Sequence, residues 1–541
     1  MEKPRQWRAV MREEIRDYVK QYGILIPVSL AAALLCYGFL VFSGTIRIDT
    51  EELLNHPGSK LGWLTIGRFG LAFLKDLLGL ATHSALKSGI LFFLFFWLGG
   101  NLLTFGIYHF SGKRAYPYWI FLLLYGTSNI WSYQIYFSVQ QAEVACAMFL
   151  LVAAAWLTVW ACFAAKGAAR VIGAAVSLPL LVLGFGAYQA LAAYYIAVCL
   201  VFFLAWLENS ERSGTDAGPG QERRAQNRKL LRGCAGILLL FVVSYVAYRV
   251  IADTWFMETA DYMEGQLGWG RYPVTDCLKN VLRTVKNVLT GIGPRNFSFY
   301  AVGVLVTAAL VLRRWRKTER TQRGLRFWLR ILALLGLAVS PFLMTIYMGE
   351  MLVTRAQFAL PVAAAFFGMY AADGISLRWC RRLCTVSVML ALAVQCGYNL
   401  RLAYTDVQRF ASDAGKTEQL VAMLCEENGG TLPTQPVVFV GYQQAEMPEW
   451  CRRTEMYGWS FYEWDYSSAQ PTGATHRIAG FVQAYTGNVL NETADEEQKR
   501  LAAELAGELS DFPADGCMAV TEDLIVVRLS ETGEAPATDW W

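Results

Sequence analysis

The chain has 541 residues, of which 55% are hydrophobic and only 17% charged, and its mean hydropathy is positive at +0.31. A soluble chain of this size carries about a quarter charged residues, so the composition excludes an ordinary soluble enzyme and points to a polytopic α-helical membrane protein. The net charge of +4 is segregated: Lys and Arg crowd certain short loops, whereas acids gather toward the C-terminus. That segregation carries topology and leaves no footprint for a nucleic acid.

Residues 1–21 form a basic arm (Lys3, Arg5, Arg8, Arg12, Arg16, Lys20) that the positive-inside rule puts in the cytoplasm. The apolar run that follows is roughly twenty residues long and has no small-residue cleavage site, so it reads as a retained first span, Tyr22–Phe42. Further spans are predicted at Ser88–Tyr108, Tyr116–Ile130, Val144–Ala165, Val171–Phe185, Tyr188–Leu207, Ala235–Ile251, Phe297–Leu312, Phe327–Tyr347, Phe358–Ala372 and Val386–Tyr398. With about eleven spans, every short loop rich in Lys and Arg falls on one side. The count divides the chain into the arm 1–21, a transmembrane domain 22–399 and an extracytoplasmic segment 400–541.

In that last segment a helix over Thr405–Glu427 ends at Gly429–Gly430. A strand-like PVVFVG run, a helix at Asp495–Leu509 and a strand near Leu524–Leu529 follow, which predicts a small α/β domain. Cys425, Cys451 and Cys517 would allow one disulfide, with no pair singled out. The other cysteines sit mostly in apolar runs, and neither they nor the four histidines show metal-ligand spacing.

The first span delivers Asp49, Glu51 and Glu52 to the outside. A carboxylate there would serve as a general base on an acceptor hydroxyl; the plain alternative is an acidic loop satisfied by Arg47 or Lys60. A helical turn from Asp49 places Glu52 on the same face. Beyond Pro57–Gly58, a segment from Gly62 to Leu80 sets Thr65, Arg68, Lys75 and Asp76 along one face among Trp63, Leu64, Phe69, Phe73 and Leu77. That is the pattern of an interfacial helix whose cations would hold a phosphate or merely anchor the helix. A second such helix runs from Thr275 to Thr290, with Asp276, Lys279, Asn280, Arg283 and Lys286 on its wet side.

Arg355, in MLVTRAQFALP, opens a span on the outer side, where a guanidinium suits bidentate phosphate contact or headgroup anchoring. Trp269, Arg271, Tyr272, Arg295 and Asn296 in the large outer loop would line a sugar site, as would Tyr188 and Gln189 at the GFGAYQA hairpin; loop structure and packing account for them equally well. No Walker loop, dinucleotide glycine fingerprint or nucleophile elbow is present. These absences count against ATP-driven transport and nucleotide-sugar chemistry.

IDTEELL after the first span, the W-x-x-x-G-R pattern at Trp63, Gly67 and Arg68, GAYQA at Gly186–Ala190 and TRAQFALP around Arg355 together resemble the bacterial membrane glucosyltransferase type II family. Its members modify O-antigen and are similar to GT-C enzymes. The likeness covers about residues 20–400. It implies a polyprenyl-phosphate-linked sugar donor, a surface glycan acceptor, transfer outside a bacterial inner membrane and room for a small flippase partner. It also implies a catalytic acid in the first outer loop, which Asp49 matches best, with Glu51 or Glu52 as companion. A strict Asp-x-Asp or Asp-Asp pair is missing, which leaves a divalent metal open and no cofactor assigned. The rival classes are an oligosaccharide polymerase or ligase and a polysaccharide flippase. A flippase should carry ionisable groups inside its spans and internal repeats.

Overall fold

The computed structural model describes residues 2–212, 221–256, 267–291, 299–317 and 324–533. Eight of its helices are long and apolar enough to cross a membrane: Leu25–Phe42, Ala85–Phe110, Gln141–Ala164, Ala168–Ala187, Leu191–Glu211, Arg224–Trp255, Leu325–Met348 and Arg378–Glu427. Each holds an apolar window of 18 residues with at most 2 charges, and such a window favours helix wherever water is absent, because only a helix satisfies its own backbone. The other three predicted spans are helical without that length or composition. Tyr116–Ile130 breaks at Thr127–Ser128 into Tyr118–Gly126 and Asn129–Ile135, and the remaining two become Tyr300–Lys317 and Ala359–Gly374.

Small residues set the closest helix approaches, as expected where lipid offers no hydrophobic drive between helices. Gly303 lets Tyr300–Lys317 lie on Ala359–Gly374, since a Cβ there would meet Phe367 at 2.9 Å. Gly70 matters more for the site. A Cβ on it would lie 2.4 Å from the Leu183 carbonyl and 2.6 Å from the Ala187 nitrogen. This seats the Phe69–Leu77 helix on the end of Ala168–Ala187, beside the Tyr188–Gln189 turn.

The segment from Gly62 to Leu80 is not one interfacial helix. Gly67 adopts φ 74° and divides it into Gly62–Thr65 and Phe69–Leu77, so the predicted cationic stripe does not form. The second amphipathic helix does form, as Val274–Thr290. It buries Cys277, Thr284 and Val288 against the protein and leaves Leu278, Leu282 and Leu289 exposed.

Arg378–Glu427 is a continuous 50-residue helix, so residue 400 lies inside it. It ends at Asn428, where Gly429 and Gly430 take φ 67° and 99°. Beyond it stands a three-stranded sheet ordered β1-β3-β2, from β1 (Val437–Val440), β2 (Met518–Val520) and β3 (Ile525–Arg528). β1 runs parallel to β3, pairing Val437 with Ile525, and β2 runs antiparallel to it. Alternation along the strands sends Val438, Val440 and Val526 to a small core with Ala502 and Ala506, while Val437, Phe439 and Val527 join the main core. None of the twelve cysteines, Cys425, Cys451 and Cys517 among them, is disulfide-bonded. Helix Thr475–Thr486 packs on the short Thr50–Asn55 helix, which brings the C-terminal segment onto the acidic loop.

Candidate functional site

The stretch leading to the acids is pinned from below. Arg47 Nε donates to Asp406 Oδ2 at 2.7 Å, and Arg409 reaches Asp406 Oδ1 at 2.8 Å and Asp413 at 3.2 Å, with all four side chains at most 2% exposed. Thr45 adds a 2.6 Å bond to Asp406, and Arg409 also holds the Ile46 carbonyl at 2.7 Å. Each buried charge has an opposite partner, which such burial requires. Arg47 is thereby committed to Asp406, and Lys60 pairs with Asp76; neither is the partner of the acidic cluster.

That partner comes from more than 400 residues away. Arg477, on Thr475–Thr486, donates from Nη1 to Glu51 Oε1 at 2.7 Å and Asp49 Oδ1 at 3.3 Å, and from Nε to Asp465 Oδ2 at 2.7 Å. Asn55 Nδ2 donates to the Gly480 carbonyl at 2.8 Å, fastening the same two helices. Asp49 is 49% exposed and Glu51 2%. Burial, with Asp49 alongside, pushes the Glu51 carboxyl up to about 7 against the pull of Arg477.

Glu51, not Glu52, therefore shares the Arg477 guanidinium with Asp49. Glu52 is 40% exposed and looks toward His476 Nε2 at 3.7 Å. The three-residue spacing fails because Asp49 is not in the helix. It stands just before Thr50–Asn55 in the left-handed region, at φ 66° and with no side-chain bond into the helix, a conformation Asp tolerates better than most residues. Helical periodicity starts only at Thr50.

The cationic half is built on Tyr188. The Arg68 guanidinium lies 4.6 Å from the centre of the Tyr188 ring, and Arg68 Nε donates to Gln189 Oε1 at 3.3 Å. Gln189 Nε2 in turn donates to the Ile66 carbonyl at 2.9 Å, fixing the amide's orientation. Arg355 lies within electrostatic reach of Tyr188, Glu455 and Asp49. Its guanidinium lies over Phe137 at 4.3 Å and meets Met456 Sδ at 3.1 Å. Glu455 accepts the Thr354 amide at 2.9 Å, holding the Arg355 turn to the C-terminal segment. Arg68, Tyr188, Gln189 and Arg355 are thus one cluster, with Asp49 within electrostatic reach.

Lys75 is elsewhere. It is 1% exposed, and its Nζ donates to Glu143 Oε1 and the Val139 carbonyl, each at 2.6 Å. Of the residues that would have carried a stripe, Lys75 is packed inward, whereas Asp76 beside it stays exposed and pairs with Lys60. Trp269 serves the turn at Met348–Glu350, its Nε1 donating to the Ile346 carbonyl at 2.9 Å, and Arg271 lies over the Tyr272 ring. Among the described residues, no hydrogen bond or ring contact of Trp269 or Tyr272 reaches Asp49, Arg68 or Arg355. Arg295 and Asn296 lie outside the described residues. Sequence reasoning missed Arg477, Asp465, Glu455 and Phe137. An Arg in THRIAGF gives no sign that it will meet an acid 428 positions earlier.

Chemically, the cluster offers an accessible carboxylate with a fixed guanidinium beside it, and two further guanidiniums near one tyrosine. A planar fork already held by its neighbours loses little entropy on receiving an anion. The carboxylates Asp49, Glu51 and Asp465 converge on the Arg477 guanidinium. Among the described residues, no group of three His, Cys, Asp or Glu side chains is spaced to hold a metal ion.

Among curated proteins and among solved structures, none matches the chain. A family model described as Glucosyl transferase GtrII matches residues 38–372, from the first apolar helix through the Arg355 turn to the end of Ala359–Gly374. That stretch is more than half of the 541 residues and holds Asp49, Glu51, Arg68, Tyr188 and Arg355, and by it the chain belongs to the GtrII glucosyltransferase family.

Proposed function

We propose that the protein is a membrane glycosyltransferase that moves a hexosyl group, glucose first among them, from a polyprenyl-phosphate donor to a glycan acceptor on the outer side of a bacterial inner membrane. In this reading Asp49 takes the proton of the acceptor hydroxyl as its oxygen attacks the anomeric carbon. The bond from that carbon to the donor phosphate breaks, and the electron pair leaves on the phosphate oxygen. Arg68 and Arg355 meet the growing negative charge, and such fixed charges act most strongly where water is excluded. Arg477 positions Asp49, and Glu51, whose carboxyl titrates at about 7, lies buried beside it on the same guanidinium. The leaving group is itself a lipid phosphate, which suits a chain without a nucleotide-binding motif.

The observation that carries the reading is the nearness of two guanidiniums to one tyrosine and one accessible carboxylate: Arg68 lies over the Tyr188 ring, and Arg355 is within electrostatic reach of Tyr188 and Asp49. Family membership favours transfer over the polymerase, ligase and flippase alternatives. The segregation of Lys and Arg supports an outward-facing site, and a small flippase would then supply the donor to that face. Purified protein in liposomes should transfer glucose from a prenyl-phosphoglucose and not from a nucleotide-glucose. Transfer from the nucleotide sugar alone would contradict the donor assignment.

A further inference from the structure

The amide-rich run Asn129–Glu143 has no role in the reaction as written. It is buried throughout, with Asn129 and Gln134 at 3%, Gln141 at 1% and Glu143 at 0% exposure. Asn129, Gln134 and Gln141 each have both the amide nitrogen and the amide oxygen without a hydrogen-bond partner, and Glu143 Oε2 lacks one too. Among the described residues, these three are the amides orphaned at both atoms. Folded proteins seldom leave buried polar groups unmet, because each has lost its water and gained nothing. Three such groups in one short run indicate something that the protein alone does not supply.

Residues beside them in the same run reach both halves of the site. Ser138 Oγ lies 3.0 Å from Thr50 Oγ1, one residue past Asp49. Phe137 lies under the Arg355 guanidinium at 4.3 Å. The Thr354–Ala356 turn packs on the Asn129–Ile135 helix, and Thr354 Oγ1 is buried and unpartnered as well. The run thus joins the acid's helix to the arginine's turn. An anion would satisfy the amide nitrogens and leave the oxygens unmet; a cation would do the reverse. A sugar hydroxyl both donates and accepts, so it answers both ends of an amide.

We infer that Gln134 and Gln141 belong to a buried subsite that binds the hydroxyls of the donor's hexose, between Asp49 and Arg355. The inference rests on the proposed transferase reading, and its failure is separable from that of the reading.

The test uses full-length Gln134→Met and Gln141→Met, each close in volume to the residue replaced, with Asp49→Asn alongside. Melting temperature and affinity are measured for a short-chain prenyl-phosphoglucose and for the same prenyl phosphate without sugar. Removing an unmet amide should leave the unliganded melting temperature unchanged or higher. Each variant should weaken binding of the glucose-bearing lipid about tenfold, the loss of one good hydrogen-bonding group. Binding of the sugarless lipid should stay as in the wild type, and Asp49→Asn should bind both lipids normally. Lower melting temperatures with the preference for glucose intact would assign the amides to a water-filled structural network and overturn the subsite. Equal binding of the two lipids by the wild type would overturn it too, while turnover by that same protein would leave the transferase reading standing.

Discussion

Replacing Glu51 with Gln should leave stability nearly unchanged at pH 5 and raise it at pH 8.5. Glu51 is buried beneath Asp49, and its carboxyl titrates at about 7 where an unperturbed one titrates at 4.5. The folded-state value lies above the unfolded one, so its contribution is fully present below about pH 4.5 and is lost as pH rises through about 7. The gap between 4.5 and about 7, at about 1.4 kcal/mol per pH unit, amounts to about 3 kcal/mol. An amide does not titrate, so Glu51→Gln escapes this loss while keeping an acceptor for Arg477. For a chain of this length about 3 kcal/mol corresponds to a shift on the order of 3 °C. The assay is the melting temperature of the detergent-solubilised protein, wild type against Glu51→Gln, across pH 5 to 8.5. A gap that opens with rising pH supports the reasoning. A variant less stable than wild type by the same amount at every pH would refute it, because the ionised Glu51–Arg477 pair would then be the stabilising form.

Three further outcomes follow from the geometry. Arg68→Ala and Arg355→Lys should each raise the concentration of lipid donor needed for half-maximal transfer, Arg355→Lys because it keeps the charge but loses the planar fork; unchanged donor dependence in both would return these residues to an anchoring role. Lys75→Met should destabilise the protein by about 3–5 kcal/mol by leaving Glu143 buried without its partner, and adding Glu143→Gln should recover most of that loss; equal stability of the single and double variants would contradict it. A lone cysteine placed in the exposed part of 428–533, in a background without other accessible thiols, should react with an impermeant reagent in intact cells; labelling only after lysis would reverse the proposed orientation.

Much of the membrane architecture is legible in the sequence, because a span is a local property of some twenty residues. The eight long apolar helices all fall on predicted segments. The pieces that fail do so for local backbone reasons or distant contacts. Gly67 reads as part of a motif, yet its positive φ breaks the helix and sends Lys75 inward to Glu143. Asp49 precedes its helix in the left-handed region, so counting three residues onward selects Glu52, whereas Glu51 is the one that shares Arg477. Arg477 is invisible for a different reason: its value to Asp49 depends on Thr475–Thr486 docking on Thr50–Asn55, which only the fold decides. Arg68, Tyr188, Gln189 and Arg355 are legible as separate motifs, and the close packing of Gly70 on Leu183 and Ala187 is what assembles the first three.

The claim on which the account turns is that Asp49 is the general base. The measurement is glucose transfer from purified prenyl-phosphoglucose to acceptor glycan by Asp49→Asn in liposomes, with its insertion and melting temperature checked against the wild type. The amide keeps the shape and can still meet Arg477, but it cannot take a proton. Turnover should fall on the order of a hundredfold or more, as for a removed general base, with donor affinity retained. Near-wild-type turnover by a well-folded Asp49→Asn would contradict the account.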